Sequence, residues 1–192
     1  TERAYAEAAR MADEDVAAGL IAPSSQAEVA GNHAVLPGVV VGVIDGDTAD
    51  VRLDSGMIRV RFHAIDAPES GQPHGKAAKA ALADLIFGKA VEVEPYEQDR
   101  YDRLVARVWI DGVDVNAEML RTGNAWTYRR YADDPASCTY EHAARDLGRG
   151  LSRLPASQRV APWEWRQRKS RAGRFTDYSR ETVAACVAAL GQ

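Results

Sequence analysis

V-V-V-G-V-I-D-G-D-T-A-D-V-R-L-D-S-G-M-I-R-V-R-F-H-A-I-D-A-P-E, residues 39–69, decides the fold. Residues 39–44 are β-branched and 49–53 alternate. Residues 57–65 alternate too, with Ile58, Val60 and Phe62 on one face and Arg59, Arg61 and His63 on the other. A period of two is the mark of a half-buried strand. Asp45-Gly46 and Asp54-Ser55-Gly56 are turn sequences, because glycine accepts the positive φ that tight turns need. Pro68 stops the third strand, since it cannot donate to a ladder. Three strands joined by tight turns make a meander.

Toward the C-terminus, residues 76–87 (K-A-A-K-A-A-L-A-D-L-I-F) are helix formers closed by Gly88. Residues 90–96 and 104–110 alternate again and read as two more strands, and 115–122 and 140–148 read as short helices. The order β-β-β-α-β-β-α-α predicts an α+β fold, an OB-type five-stranded β-barrel. Toward the N-terminus, residues 2–22 carry Tyr5, Ala8, Ala9, Ala12 and Val16 at helical spacing, and Pro23-Ser24-Ser25 breaks the pattern. Three segments follow: an N-terminal helix and linker (1–37), the barrel domain (38–155), and a basic, Trp-containing extension (156–192).

With 46% hydrophobic and 27% charged residues, the 192-residue chain falls outside the disordered class. No apolar run approaches the ~20 residues of a membrane span. The sequence has no initiator Met and reads as processed or trimmed. The net charge of −4 does not advertise nucleic-acid binding, but it is unevenly spread. Residues 1–30 are net −4 and residues 159–180 net +5, the latter interleaved with Trp163, Trp165, Phe175 and Tyr178. Such a stretch grips polyanion or docks its aromatics onto the body. Cys138 and Cys186 lack metal-site spacing; two thiols or one disulfide are both open, and a disulfide would point to a secreted or periplasmic setting.

The chemistry-bearing residues gather around the meander. Asp47 starts the second strand and Asp66 ends the third, so the two carboxylates can approach within a few ångströms. Close carboxylates repel unless protonated or bridged by a cation. Oxygen ligands without His or Cys favour Ca²⁺ or Mg²⁺. Glu69, beyond the proline, can point back at the same place. Arg61 lies five residues before Asp66, so a regular strand would send the two to opposite faces. Only a bulge or a turn brings them together. A second cluster, Asp99-Arg100-Tyr101-Asp102-Arg103, is either a solvated loop or a phosphate grip, since Arg presents a planar fork. Asp50 reads as a solvated turn residue.

V-I-D-G-D-T (43–48), R-F-H-A-I-D-A-P-E (61–69), D-R-Y-D-R-L-V-A-R-V-W-I-D-G (99–112) and V-N-A-E-M-L-R-T-G-N-A (115–125) together resemble the staphylococcal nuclease family, over about residues 39–166. The resemblance implies a Ca²⁺-dependent hydrolase of DNA and RNA phosphodiesters. By position, Asp47, Asp66 and the carbonyl of Ala67 would be metal ligands, with Asp45 behind them. Glu69 would orient or deprotonate the attacking water. Arg61 and Arg103 would meet the scissile phosphate, and Arg100, Tyr101 and Tyr131 would line the nucleotide pocket. The chain departs from the family at Ala67, where the namesake has Thr, and at Asp102, where it has Gly. Loop 70–75 is shorter, and near Tyr128-Arg129-Arg130-Tyr131 an Arg falls where a pocket tyrosine is expected. The alternative reading is a non-catalytic OB module that binds nucleic acid or protein; P-W-E-W-R (162–166) reads as packing a tail onto the barrel.

Overall fold

A computed structural model describes residues 34–167 and 175–192. The predicted N-terminal helix, residues 2–22, lies outside the described residues.

The meander forms as β1 (Leu36–Val43), β2 (Thr48–Leu53) and β3 (Gly56–Phe62). A two-residue strand β4 (Ile65–Asp66), helix α1 (Gly75–Ile86) and strands β5 (Ala90–Gln98) and β6 (Leu104–Ile110) follow. β7 (Val113–Asp114) leads into α2 (Val115–Arg121), β8 (Trp126–Thr127) and α3 (Ala136–Asp146). Two short helices, α4 (Pro162–Arg166) and α5 (Val183–Ala188), lie in the C-terminal segment. No helix among the described residues is long and apolar enough to cross a membrane.

The sheet order is β3-β2-β1-β5-β6-β7, and β3 also pairs parallel with β6 through Val60↔Leu104, Arg61↔Val105 and Phe62↔Ala106. That pairing closes five strands into a mixed barrel, the predicted OB-type α+β fold. Of the predicted face, Val60 and Phe62 are buried and Ile58 half-buried, and Val51, Val93, Ala106 and Val108 are fully buried beside them. Burial of each large apolar side chain contributes roughly 1.5–3 kcal/mol. α1 turns Ala78, Leu82 and Ile86 onto the same core.

Four boundaries differ clearly from expectation. β1 begins at Leu36, because Leu36 and Pro37 pair with Val93 and Glu92 of β5 rather than belonging to a linker. β5 runs on to Gln98 through a bulge between Pro95 and Glu97, where proline has no N–H for the ladder. The third strand does not reach residue 65. It stops at Phe62, turns at His63-Ala64 with Ala64 at φ +63°, and resumes as β4 beside β8. The last predicted helix starts at Ala136, four residues early, and closes at Asp146.

Candidate active site

The turn Asp45–Asp47 is packed against the turn that follows β4. A Cβ on Gly46 would stand 2.7 Å from that of Ala67 and 2.8 Å from that of Ala78, so only glycine allows the approach. The result is a direct bond: the Ala67 amide donates to Asp47 Oδ2 at 2.5 Å. Asp45 Oδ1 accepts from the Asp47 amide at 3.1 Å, supporting the turn from behind. The Ala67 amide thus ties its turn to Asp47.

The His63-Ala64 turn resolves the parity problem between Arg61 and Asp66. Arg61 Nη1 donates to the carbonyls of Phe62 and Ile65, both at 2.9 Å, so its guanidinium itself spans the turn. Its Nη2 lies 3.1 Å from Asp66 Oδ1 and its Nη1 3.3 Å from Asp47 Oδ1. One guanidinium thus bridges both carboxylates. Asn116 holds the turn from the other side: Nδ2 donates to the His63 carbonyl at 2.9 Å, while Oδ1 accepts from the Val108 amide at 3.0 Å. This buried asparagine, within the V-N-A-E motif, was not singled out by the sequence reading.

Asp47 and Asp66 are 5% and 1% exposed. Burial pushes Asp47 up to about 7, and repulsion from Asp45 and Asp66 adds to it against Arg61 and the Ala67 amide. Burial also raises Asp66, against hydrogen bonds from Arg166 and the charge of Arg61. Two buried carboxylates beside each other repel, and a neighbouring positive charge relieves that repulsion.

Among the described residues, no group of three or more His, Cys, Asp or Glu side chains is gathered to hold a metal ion. The donor set still fits a hard divalent cation that accepts main-chain oxygen and water. A carboxylate has about four lone-pair sites. Described partners take three on Asp66 (Arg61 once, Arg166 twice), and on Asp47 they are the Ala67 amide, Thr48 Oγ1 and Arg61. Among the described residues, each carboxylate has one site beyond these partners.

Arg166 is the residue that sequence reasoning missed. From the end of α4 its Nη2 reaches Asp66 Oδ2 at 2.7 Å, and its Nη1 reaches Asp66 Oδ1 at 3.1 Å and Glu69 Oε1 at 2.8 Å. P-W-E-W-R does dock the tail: Trp163 stacks on Tyr128 with ring centres 5.7 Å apart, and meets Tyr178 edge-on. Its arginine, however, goes to the acids. The local signal was one arginine of a basic stretch, directly behind two tryptophans.

Arg103 stands apart from this group. Its Nε donates to Asp99 Oδ2 at 2.8 Å, and its guanidinium lies 5.5 Å from the centre of the Tyr101 ring. Despite some desolvation, hydrogen bonds from the Arg103 side chain and from the Arg103 and Tyr101 amides hold Asp99 below its ordinary value. Asp102 sits at φ +58°, the left-handed region where glycine is favoured and Asp is tolerated. Arg100 lies over Tyr101 at 4.8 Å, and Tyr101 is 63% exposed. With Asp50, Met57, Ile58 and Arg59, Tyr101 and Arg103 line a groove of about 330 Å³. Asp50 is not simply solvated; Arg59 grips both its oxygens, at 2.8 and 3.1 Å. Tyr131 packs edge-on against Tyr128 at 4.8 Å, and Arg166 lies over Tyr128 at 5.9 Å. Arg129 turns inward to Glu141 and Glu181, so it is a strut of the C-terminal segment rather than a pocket wall. Cys138 and Cys186 are joined as a disulfide, which settles the open alternative.

The closed OB-type barrel thus gathers two buried acids, two arginines and a half-buried glutamate at one turn. The family model for the staphylococcal nuclease homologues matches residues 59–152. A protein of Escherichia coli O157:H7 called an uncharacterized endonuclease is 40% identical over 133 residues, 69% of this chain and 86% of that one. The micrococcal nuclease of Shigella flexneri is 40% identical over 146 residues, 70% of this chain and 83% of its own. A probable staphylococcal-like nuclease of rice, CAN1, is 43% identical over 111 residues, 58% of this chain but only 33% of the rice protein. The chain belongs to the staphylococcal nuclease family.

Proposed function

We propose that this chain is a Ca²⁺-dependent nuclease that hydrolyses phosphodiester bonds of DNA and RNA without discriminating the sugar. The observation that carries the reading is the pair of buried carboxylates, Asp47 and Asp66, bridged by Arg61 beside Glu69. Asp47, Asp66 and the Ala67 carbonyl would hold Ca²⁺, with Asp45 supporting Asp47. Bound there, the ion would supply positive charge against a phosphoryl oxygen. Glu69, more exposed than the buried pair, orients water and accepts its proton. Arg61 faces the charge that develops on the equatorial oxygens. Arg103 joins it by exchanging Asp99 for phosphate, and Tyr101, Arg100 and Tyr131 flank the nucleotide.

The magnitudes call for several contributors. A positioned base supplies about 10²–10⁴-fold, while the barrier has to fall by ~8–23 kcal/mol. One preorganised donor contributes roughly 2.7–4 kcal/mol, by analogy with oxyanion holes. The Cys138–Cys186 bridge supports a secreted or periplasmic setting.

The test is a Ca²⁺ titration of cleavage on single-stranded DNA and on RNA, with a chelator control. Cleavage of both that saturates with Ca²⁺ and stops with chelator is expected. Intact substrates at millimolar Ca²⁺ across neutral to alkaline pH refute the reading, and binding without cleavage would make the chain an OB binding module.

A further inference from the structure

We propose that Arg166 is a positioning residue of this site: anchored on Asp66, its guanidinium holds the Glu69 carboxylate where it meets water. The inference rests on the nuclease reading above and names what makes its base effective. Glu69 lies in a turn and is 39% exposed, a setting in which a long carboxylate side chain samples many rotamers. Among the described residues, Arg166 is the one ion-pair partner of that carboxylate.

The geometry is that of a bracket. Two nitrogens of Arg166 engage the two oxygens of Asp66, at 3.1 and 2.7 Å, and a planar fork on a planar carboxylate fixes the orientation of both groups. Asp66 is itself immobile, buried in β4 opposite Trp126 and bonded to Arg61. The same Nη1 then reaches Glu69 at 2.8 Å. A buried acid thus sets the position of an exposed one through a guanidinium. A guanidinium keeps its charge throughout the working pH range, so it serves to hold rather than to transfer a proton.

The carrier of Arg166 is firmly fixed. Trp163 stacks on Tyr128, and buried Glu164 accepts from the amide and hydroxyl of Thr176 at 2.9 and 2.6 Å. Gln72 ties the two sides together: its Oε1 accepts from the Glu69 amide at 3.2 Å and its Nε2 donates to the Val160 carbonyl at 2.5 Å. The loop bearing Glu69 and the segment bearing Arg166 are therefore joined twice. A merely structural surface ion pair contributes little and needs none of this support.

The experiment uses the full chain as wild type, Arg166→Met, Arg166→Lys, Glu69→Gln and the Glu69→Gln/Arg166→Met double variant. Cleavage of a single-stranded DNA oligonucleotide gives kcat and KM, and calorimetry gives Ca²⁺ affinity. Arg166→Met should lower kcat about 10- to 100-fold, part of the 10²–10⁴ of a positioned base, with KM and Ca²⁺ affinity within about threefold because Asp47 and Asp66 remain. Arg166→Lys should recover kcat in part, since lysine keeps the charge but loses the fork. The double variant should be no slower than Glu69→Gln alone, because Arg166 acts through Glu69. Wild-type kcat in Arg166→Met, a raised KM at unchanged kcat (direct phosphate contact), a faster variant (an inhibitory plug) or additive losses would each overturn the inference. If Arg166→Met does not fold, Arg166→Lys with wild-type kcat overturns it. A wild type that never cleaves refutes the nuclease reading first; an active wild type with an unaffected Arg166→Met refutes this inference alone.

Discussion

Replacing Asp47 by asparagine should stabilise the metal-free chain above neutral pH while abolishing its response to Ca²⁺. Asp47 is 5% exposed, and burial, with Asp45 and Asp66 beside it, takes its carboxyl from 3.8 up to about 7. Because the folded value lies above the unfolded one, the folded chain binds the extra proton between them. The associated stability is present below about pH 4 and lost as pH rises to about 7. At 1.36 kcal/mol per pH unit, the whole window amounts to about 4 kcal/mol, and the part between pH 5 and 8 to about 3 kcal/mol. Asparagine has nearly the same shape and can still accept from the Ala67 amide, but it carries no charge to desolvate. Buried Asp66 and half-buried Asp114 contribute with the same sign, and half-buried His63, held below its ordinary value, with the opposite one. The readout is therefore the difference between wild type and Asp47→Asn, measured by urea unfolding in chelator at pH 5 and pH 8. The variant should gain about 3 kcal/mol on the wild type across that interval, or about 6–12 °C in Tm. Added Ca²⁺ at 100 times its Kd should return about 2.7 kcal/mol to the wild type and nothing to the variant. A difference that stays flat from pH 5 to 8, or a variant less stable at pH 8, refutes the reasoning.

Arg61→Lys should lower kcat/KM by about 10²–10³-fold, as for one preorganised donor. Lysine cannot at once span the Phe62 and Ile65 carbonyls and both acids, and near-wild-type cleavage would remove Arg61 from the site. Replacing both Cys138 and Cys186 by serine releases a loop with a sequence separation of 48. The chain-entropy estimate for such a loop is about 4 kcal/mol, and denaturant unfolding of the double variant against the oxidised wild type should show a loss of that order.

The barrel was legible because β2 and β6 end where their alternation ends. In M-I-R-V-R-F-H-A-I the alternation continues past the true break, so parity set Arg61 and Asp66 on opposite faces. The break is made by Ala64 in a left-handed conformation, a choice no alanine advertises, and by Asn116 reaching in from α2 to the His63 carbonyl. Asp47 and Asp66 were legible as a pair because a turn and a strand end brought them near, whereas Asp45 and Arg61 joined them only through the family resemblance. Arg166 was not, because it is separated from Asp66 by 100 positions and its approach depends on aromatic stacking, hydrogen bonds and a disulfide. The pairing of two distant cysteines leaves no local pattern at all. Arg103 shows the reverse case: D-R-Y-D-R displays an i,i+4 acid–base pair, and the structure uses it.

Charge ties these features to substrate capture. Asp45, Asp47, Asp66 and Glu69 face Arg61 and Arg166, a formal excess of two negative charges at the point where a phosphodiester would have to approach. The nearby arginines do not relieve it: Arg103 is held by Asp99 and Arg59 by Asp50. On a chain of net charge −4, such a site repels a polyanion until a divalent cation cancels the excess. On the proposed reading, a bound divalent cation would leave Arg61 and Arg103 to exchange carboxylates for phosphate oxygens, which the planar fork fits equally well, while Arg166 stays on Asp66 and Glu69. The buried acids, costly to the chain without metal, would then make substrate capture conditional on that ion.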